Sequence, residues 1–210
     1  MSRSGSSGRK GLFPTLLLVG ILLITSVSMT IFLIGSQRSI DTLFANIEKQ
    51  YRQGLINIVT VARNAIEPIL AQVRTGELDR EGALAMIRPL VRRMTYVDRD
   101  GNNYVFMSSY DGIMLVQPFE PSKESTSQID LQDINGLYII RELIKAAQAH
   151  PEGSFVRYYY LRPSPTRDIQ EKLAYVVGLP EIGCYIGTGM YMERIVLEQA
   201  MEDPYNYPQL

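Results

Sequence analysis

The alternation of apolar and polar positions divides the chain into three regimes. From Leu12 to Gly35 the run LFPTLLLVGILLITSVSMTIFLIG carries no charge, and at ~1.5 Å per helical residue it is long enough to cross a hydrocarbon core of ~30 Å. From Ser39 to Val73 the apolar residues Ile40, Leu43, Phe44, Ile47, Tyr51, Leu55, Ile58, Val59, Ala62, Ile66 and Ile69 recur at three- and four-residue steps. That period predicts one long amphipathic helix emerging from the membrane. Pro68 is expected to kink or end it locally, because proline removes a donor and clashes with the preceding turn. Thr75, Gly76 and Glu77 break the pattern, and Asp79 is placed to cap a second helix whose face Ala83, Ala85, Met86, Ile87, Leu90, Val91 and Met94 runs to about Thr95.

Beyond Tyr96 the chain changes to short runs rich in Tyr, Val, Ile and Phe between turn residues, the signature of strands. Asn103 to Ser108 and Ile113 to Pro118 flank Tyr110-Asp111-Gly112, which predicts a β-hairpin. Phe119 to Asp133 reads as a polar loop, and Asn135 to His150 as a helix through Leu137, Ile140, Leu143, Ile144 and Ala147. Further strands are expected at Ser154 to Leu161, Glu171 to Leu179 and Ile182 to Tyr191, the first two joined by the loop Arg162-Pro-Ser-Pro-Thr-Arg. Met192 to Met201 reads as a last helix, which Pro204 and Pro208 do not continue. The expected fold is therefore α+β: an N-terminal transmembrane helix, a long amphipathic helix, then an antiparallel sheet of about five strands with flanking helices, and no second membrane span.

The apolar segment has a competing reading as a cleaved signal peptide, with Arg3, Arg9 and Lys10 as its basic region and Ser26 and Ser28 as the small pair before a cut. An uncleaved anchor is favoured, because Met29, Ile31, Phe32, Leu33 and Ile34 continue the apolar run beyond what a signal peptide needs. Three positive charges and no acid precede the segment, so the positive-inside rule keeps the N-terminus cytoplasmic and sends the chain after Gln37 across the membrane. The expected organisation is a basic tail over 1–11, a transmembrane helix over 12–35, an extracytoplasmic domain over 36–201 and a C-terminal tail over 202–210. The expected location is the cell inner membrane, single-pass.

Charge and composition remove several function classes. The 210 residues carry 21 Lys+Arg against 22 Asp+Glu, so no bulk basic surface for nucleic acid is expected. Taking away Arg3, Arg9 and Lys10 leaves 18 against 22, a charge of -4 on the exported part. The single cysteine, Cys184, cannot form an intrachain disulfide, and the single histidine, His150, leaves no Cys/His cluster at zinc spacing. No cofactor and no metal are expected. His150 reads as a helix-terminal residue, Asp130 and Asp133 as solvated loop acids or a helix cap, Cys184 as a buried thiol, and Gly187-Thr188-Gly189 as a place of close backbone packing. No nucleophile is found beside a base, so enzymatic turnover is the least favoured function.

The chemistry-bearing cluster is aromatic and mildly basic: Tyr104, Phe106, Gln117, Arg157, Tyr158, Tyr159, Tyr160, Lys172 and Tyr175. A pocket walled by tyrosine around one fixed cation suits a small organic anion, since lysine gives charge-assisted bonds while ring faces exclude water. A strand face of core tyrosines, with Lys172 in water, is the competing reading. Strand alternation adds a constraint: Lys172, Ala174 and Val176 share one face, and Leu173, Tyr175 and Val177 the other. Lys172 and Tyr175 line one pocket only if the strand starts later or carries a bulge.

The order of motifs resembles the single Cache domain, an extracytoplasmic ligand-binding module of bacterial chemoreceptors and sensor kinases. The likeness runs through Asn103-Tyr-Val-Phe-Met-Ser-Ser109, Asp111-Gly112, Met114-Leu-Val-Gln-Pro118, Gln132-Asp-Ile-Asn-Gly136, Gly153-Ser-Phe-Val-Arg-Tyr158, Lys172-Leu-Ala-Tyr-Val176 and Ile186-Gly-Thr-Gly-Met-Tyr191. The resemblance implies a PAS-like sheet on a long helix, and a pocket that in relatives often takes acetate, propionate, pyruvate or lactate. The ligand contacts expected from the cluster are Tyr104, Phe106, Gln117, Tyr158, Tyr160, Lys172 and Tyr175.

Four positions depart from the family pattern. Gln117 stands for a histidine, Phe106 for a tryptophan, Ser109 for an acid, and Cys184 lies near a usual tryptophan. Gln117 has a donor and an acceptor but no cationic form, which brings amides in beside short carboxylates. Relatives usually continue into a second membrane helix and an output module, so either a longer receptor or a separate partner, such as a kinase or chemoreceptor output module, is expected. The expectation is a membrane-anchored sensor, a homodimer, that signals by helix displacement. The alternative is a ligand-blind subunit that dimerises or docks a partner through the helix Ser39 to Val73.

Overall fold

The computed structural model describes residues 9–98, 101–162 and 168–192. The leading tail over residues 1–8, the loop at 163–167 and the expected final helix from residue 193 onward lie outside the described residues.

The first two expected helices are one, α1 (Arg9–Thr75, 67 residues). Its first part is apolar on every side over Leu17–Ser36, with Leu22, Ile24 and Phe32 each more than 60% exposed. A helix apolar all round and uncovered by protein matches a lipid environment. The later stretch Ala45–Thr75 is also long and apolar enough to cross a membrane. It carries Lys49, Arg52, Arg63 and Glu67, however, and buries a stripe of Leu55, Val59, Ala62, Ile66, Ile69 and Leu70 against the sheet. That is a core helix. Pro68 does not end α1: Pro68 and Asn64 are both exposed, so the carbonyl left without its helical donor faces solvent.

The α2 helix (Arg80–Arg92) starts where expected, with Asp79 accepting from the Gly82 N–H at 2.7 Å. Two short strands, β1 (Thr95–Asp98) and β2 (Gly101–Tyr104), then pair with each other. The expected helix end near Thr95 is therefore replaced by a strand. The hairpin is present as β3 (Phe106–Ser109) and β4 (Met114–Val116). Gly112 takes φ +80, where a Cβ would also meet Ile129 at under 3 Å.

The α3 helix spans Ile139–Ala149, starting later than expected and ending at His150. Its expected first turn is an Asx-type turn instead: Asp133 Oδ1 accepts from the N–H groups of Asn135 and Leu137, and Gly136 takes φ +80. Strands β5 (Ser154–Leu161), β6 (Ile169–Leu179) and β7 (Cys184–Tyr191) complete the sheet. Its order is β4-β3-β7-β6-β5, each neighbour antiparallel.

The sheet separates two cores. Met107, Leu173, Tyr175, Val177, Cys184 and Ile186 face α1 and α2. Phe106, Tyr158, Ala174, Val176 and Tyr185 face α3 and the loop before it. Both cores are apolar, and at roughly 25 cal/mol per Å² of buried apolar surface they are the main source of stability.

Candidate functional site

On the α3 side of the sheet lies a small cavity of about 30 Å³ lined by Tyr104, Phe106, Gln117, Tyr158, Tyr160 and Lys172, with Lys123, Met114 and α3 residues completing the wall. Six of the seven expected contact residues therefore meet in one place. Tyr175 does not. Strand β6 runs from Ile169 through Lys172 with regular pairing to both neighbours, so alternation sends Tyr175 to the opposite face. There its ring packs on Phe155 at 4.7 Å, and its hydroxyl sits over Gly153, donating to the Glu152 carbonyl at 3.3 Å. Arg157 and Tyr159 share that face, Arg157 pairing with Glu171 at 3.2 Å.

Lys172 is 2% exposed. Its ammonium lies over three rings, Tyr191 at 5.1 Å, Tyr104 at 5.2 Å and Tyr160 at 5.6 Å, the geometry of a cation–π cage. Burial lowers its pKa from 10.5 to about 8, against the weaker pull of Glu120 and Asp98. Among the described residues, none places a carboxylate within ion-pair distance of it. Burial likewise pushes the hydroxyls of Tyr104, Tyr158 and Tyr160 up, so they remain neutral donors.

Gln117, 3% exposed, brings its amide beside the Tyr104 and Tyr160 hydroxyls, while its Oε1 is buried without a hydrogen-bond partner. A buried acceptor without a donor is costly unless something fills it. The cavity thus presents a cation, neutral hydroxyls and a spare acceptor on an apolar floor.

The glycines of β7 explain how the lysine fits. A Cβ at Gly189 would stand 2.8 Å from Lys172 Cε, and one at Gly187 would stand 2.9 Å from Phe106 Cζ. Close packing is their role, and it is the cavity's own side chains that need the room. Thr188 between them faces the other way, accepting from Tyr96 and donating to the Tyr104 carbonyl.

Sequence reasoning missed Lys123. It reaches the cavity from a 3-10 turn (Pro121–Lys123) in the loop read only as polar, and no periodicity places a loop residue over a sheet. Asp133 is a linker between loop and edge strand. Desolvation opposes its charge, but backbone donors from Tyr159, Leu137 and Asn135 outweigh that and lower its pKa. Cys184 is buried, donates to the Ile182 carbonyl at 3.2 Å, and has its thiol pushed up to about 11 by burial.

The profile of the Single Cache domain 2 family matches residues 47–202, about three quarters of the chain. The chain belongs to the single Cache family. The sensor histidine kinase MctS of Rhizobium johnstonii is 30% identical over 165 residues, covering 79% of this chain and 34% of that protein, so the chain spans about a third of that relative. Among solved structures, a methyl-accepting chemotaxis protein from Vibrio parahaemolyticus aligns with TM-score 0.64 at 22% identity, over 75% of this chain and 99% of that one. A Cache chemosensory domain described for carboxylic acid recognition aligns with TM-score 0.62 at 17% identity, over 71% and 98%. The fold is that of the Cache sensory domains found in membrane chemoreceptors and sensor kinases. Within the Cache fold the cavity occupies the face of the sheet away from α1.

Proposed function

We propose that this Cache domain is the extracytoplasmic sensor of a membrane signalling protein, and that its cavity binds a short monocarboxylate-sized ligand through Lys172, Gln117, Tyr104, Tyr158 and Tyr160. The observation that carries the reading is the buried Lys172 ammonium, caged by three tyrosine rings and facing the cavity. Desolvation makes an unpaired buried cation costly, and an anion that reaches it restores the balance. A volume of about 30 Å³ admits only a few heavy atoms unless the lining moves. The described recognition of carboxylic acid by one structural neighbour, and the kinase name of the 30%-identical relative, point the same way.

The anchor is α1 across Leu17–Ser36 with the N-terminus inside, and the output is a displacement of α1. The domain pairs with a second copy. A ligand-blind docking role is the second reading, favoured by the uncharged exposed strip Asn57, Thr60, Val61, Asn64, Ala65 and Pro68 on α1. A thermal-shift and calorimetric screen of the full chain in nanodiscs, against short carboxylates, amino acids and amides, separates the two. A dose-dependent rise in melting temperature, lost in Lys172→Met and kept in Tyr175→Phe, is expected for sensing. No shift across the panel, from a stable dimer, would favour docking.

A further inference from the structure

A hydrogen-bonded triangle stands in the wall of the cavity. Lys123 Nζ donates to Glu120 Oε2 and to the Tyr160 hydroxyl, each at 2.8 Å, and that hydroxyl donates to the same Glu120 oxygen at 3.0 Å. Lys123 and Tyr160 line the cavity, while Glu120 stands outside the lining. One Lys123 N–H and the Tyr160 O–H, both of which could serve an incoming anion, are thus already committed to the Glu120 carboxylate. Glu120 is also the charge that acts most strongly on the Lys172 ammonium. Two lysines at one small cavity thus feel this carboxylate, with Asp98 acting more weakly on Lys172.

We propose that Glu120 is a built-in surrogate for the ligand's carboxylate, holding Lys123 and Tyr160 in the cavity wall until an anionic ligand displaces it. The inference rests on the reading of the cavity as the ligand site and narrows the ligand class. An anion replaces the charge that Glu120 withdraws, whereas a neutral amide leaves Lys123 and Lys172 uncompensated. Displacement moves more than one side chain. Glu120, Lys123 and Glu124 belong to one short turn in which the Lys123 N–H bonds the Glu120 carbonyl, and the Glu124 N–H that of Pro121. The far end of the turn is tied to α2 by the Arg92–Glu124 ion pair, and back to the cavity by the Gln117 N–H donating to Glu124 at 2.9 Å.

The test is acetate binding to the full chain in nanodiscs, by calorimetry at fixed ionic strength, for the wild type, Glu120→Gln and Lys172→Met. Glu120→Gln removes the competitor and keeps the shape, so acetate is expected to bind about tenfold more tightly, with acetamide gaining less. Equal or weaker acetate binding by a folded Glu120→Gln protein overturns the surrogate role. Acetate binding that survives Lys172→Met overturns the site reading instead.

A ligand-free measurement stands beside it. At about pH 9.5, where Lys172 is largely uncharged, acylation of Lys172 by a small reagent reports access to the cavity. Several-fold faster labelling in Glu120→Gln supports the hold of Glu120 on the cavity wall, and equal rates overturn it, whether or not acetate binds either protein.

Discussion

Lys172 trades stability for chemistry. The folded chain holds its pKa near about 8 against 10.5 for an exposed lysine. Between those values the unfolded chain binds the proton and the folded chain does not, so stability rises with pH across the window. Below it both states are charged and the burial penalty stands in full, on the order of 3–4 kcal/mol. The buried tyrosines, raised above 10, act in the opposite sense and only at higher pH. Comparing the wild type with Lys172→Met, which keeps every tyrosine, isolates the lysine. Lys172→Met is expected to melt higher at pH ~7, with the gap narrowing towards pH ~9.5. A gap that stays constant with pH in a calorimetric scan would show that the buried ammonium is not its cause. Much of this was legible in the sequence. Alternation alone placed Lys172 and Tyr175 on opposite faces, and the assignment of Tyr175 to the site fails on that rule. Glu120 and Lys123 were not legible, because their place over the cavity depends on a turn whose path is set by tertiary contacts.

At the scale of elements, β7 decides whether the cavity exists. Gly189 lies opposite Ala174 in the register, and an added methyl would meet Lys172 Cε at 2.8 Å and the Leu173 carbonyl at 2.9 Å. Side chain and backbone are both obstructed, so neither can yield cheaply. Gly189→Ala is expected to cost about 1–3 kcal/mol in a urea titration and to weaken acetate binding together with it. An unchanged midpoint would mean the strands separate freely there. The hairpin, α2 and the three long strands follow from periodicity and turn residues. Strand β1 escaped because its aliphatic side chain turns outward: Val97 is 76% exposed. That small sheet is held instead by Asn103, which donates to Asp98 and to the Gly189 carbonyl and accepts from the Tyr104 N–H. Side-chain hydrogen bonds of this kind have no period to read.

At the scale of the whole molecule, the proposed ligand and the helix that continues into the apolar stretch lie on opposite faces of one sheet. Two physical links join them. One is β6 itself, whose alternate residues Lys172 and Leu173 enter the two cores. The other runs around the sheet: the cavity loop carries Glu124, which grips Arg92 at the end of α2, and Ile87 and Val91 of α2 share one apolar core with α1. A ligand shifts such a system only by binding one arrangement more tightly, and the loop is the part whose contacts change when Glu120 is displaced. Arg92 is 46% exposed and its ion pair adds little stability. Arg92→Ala is therefore expected to leave acetate affinity within about twofold while cutting the ligand's effect on α2. Amide hydrogen exchange of the full chain in nanodiscs reads this directly. In the wild type, acetate is expected to slow exchange in α3, β6 and α2 together; in Arg92→Ala the α2 response falls away and the β6 response stays. If α2 responds equally in both proteins, coupling runs through the sheet and not around it.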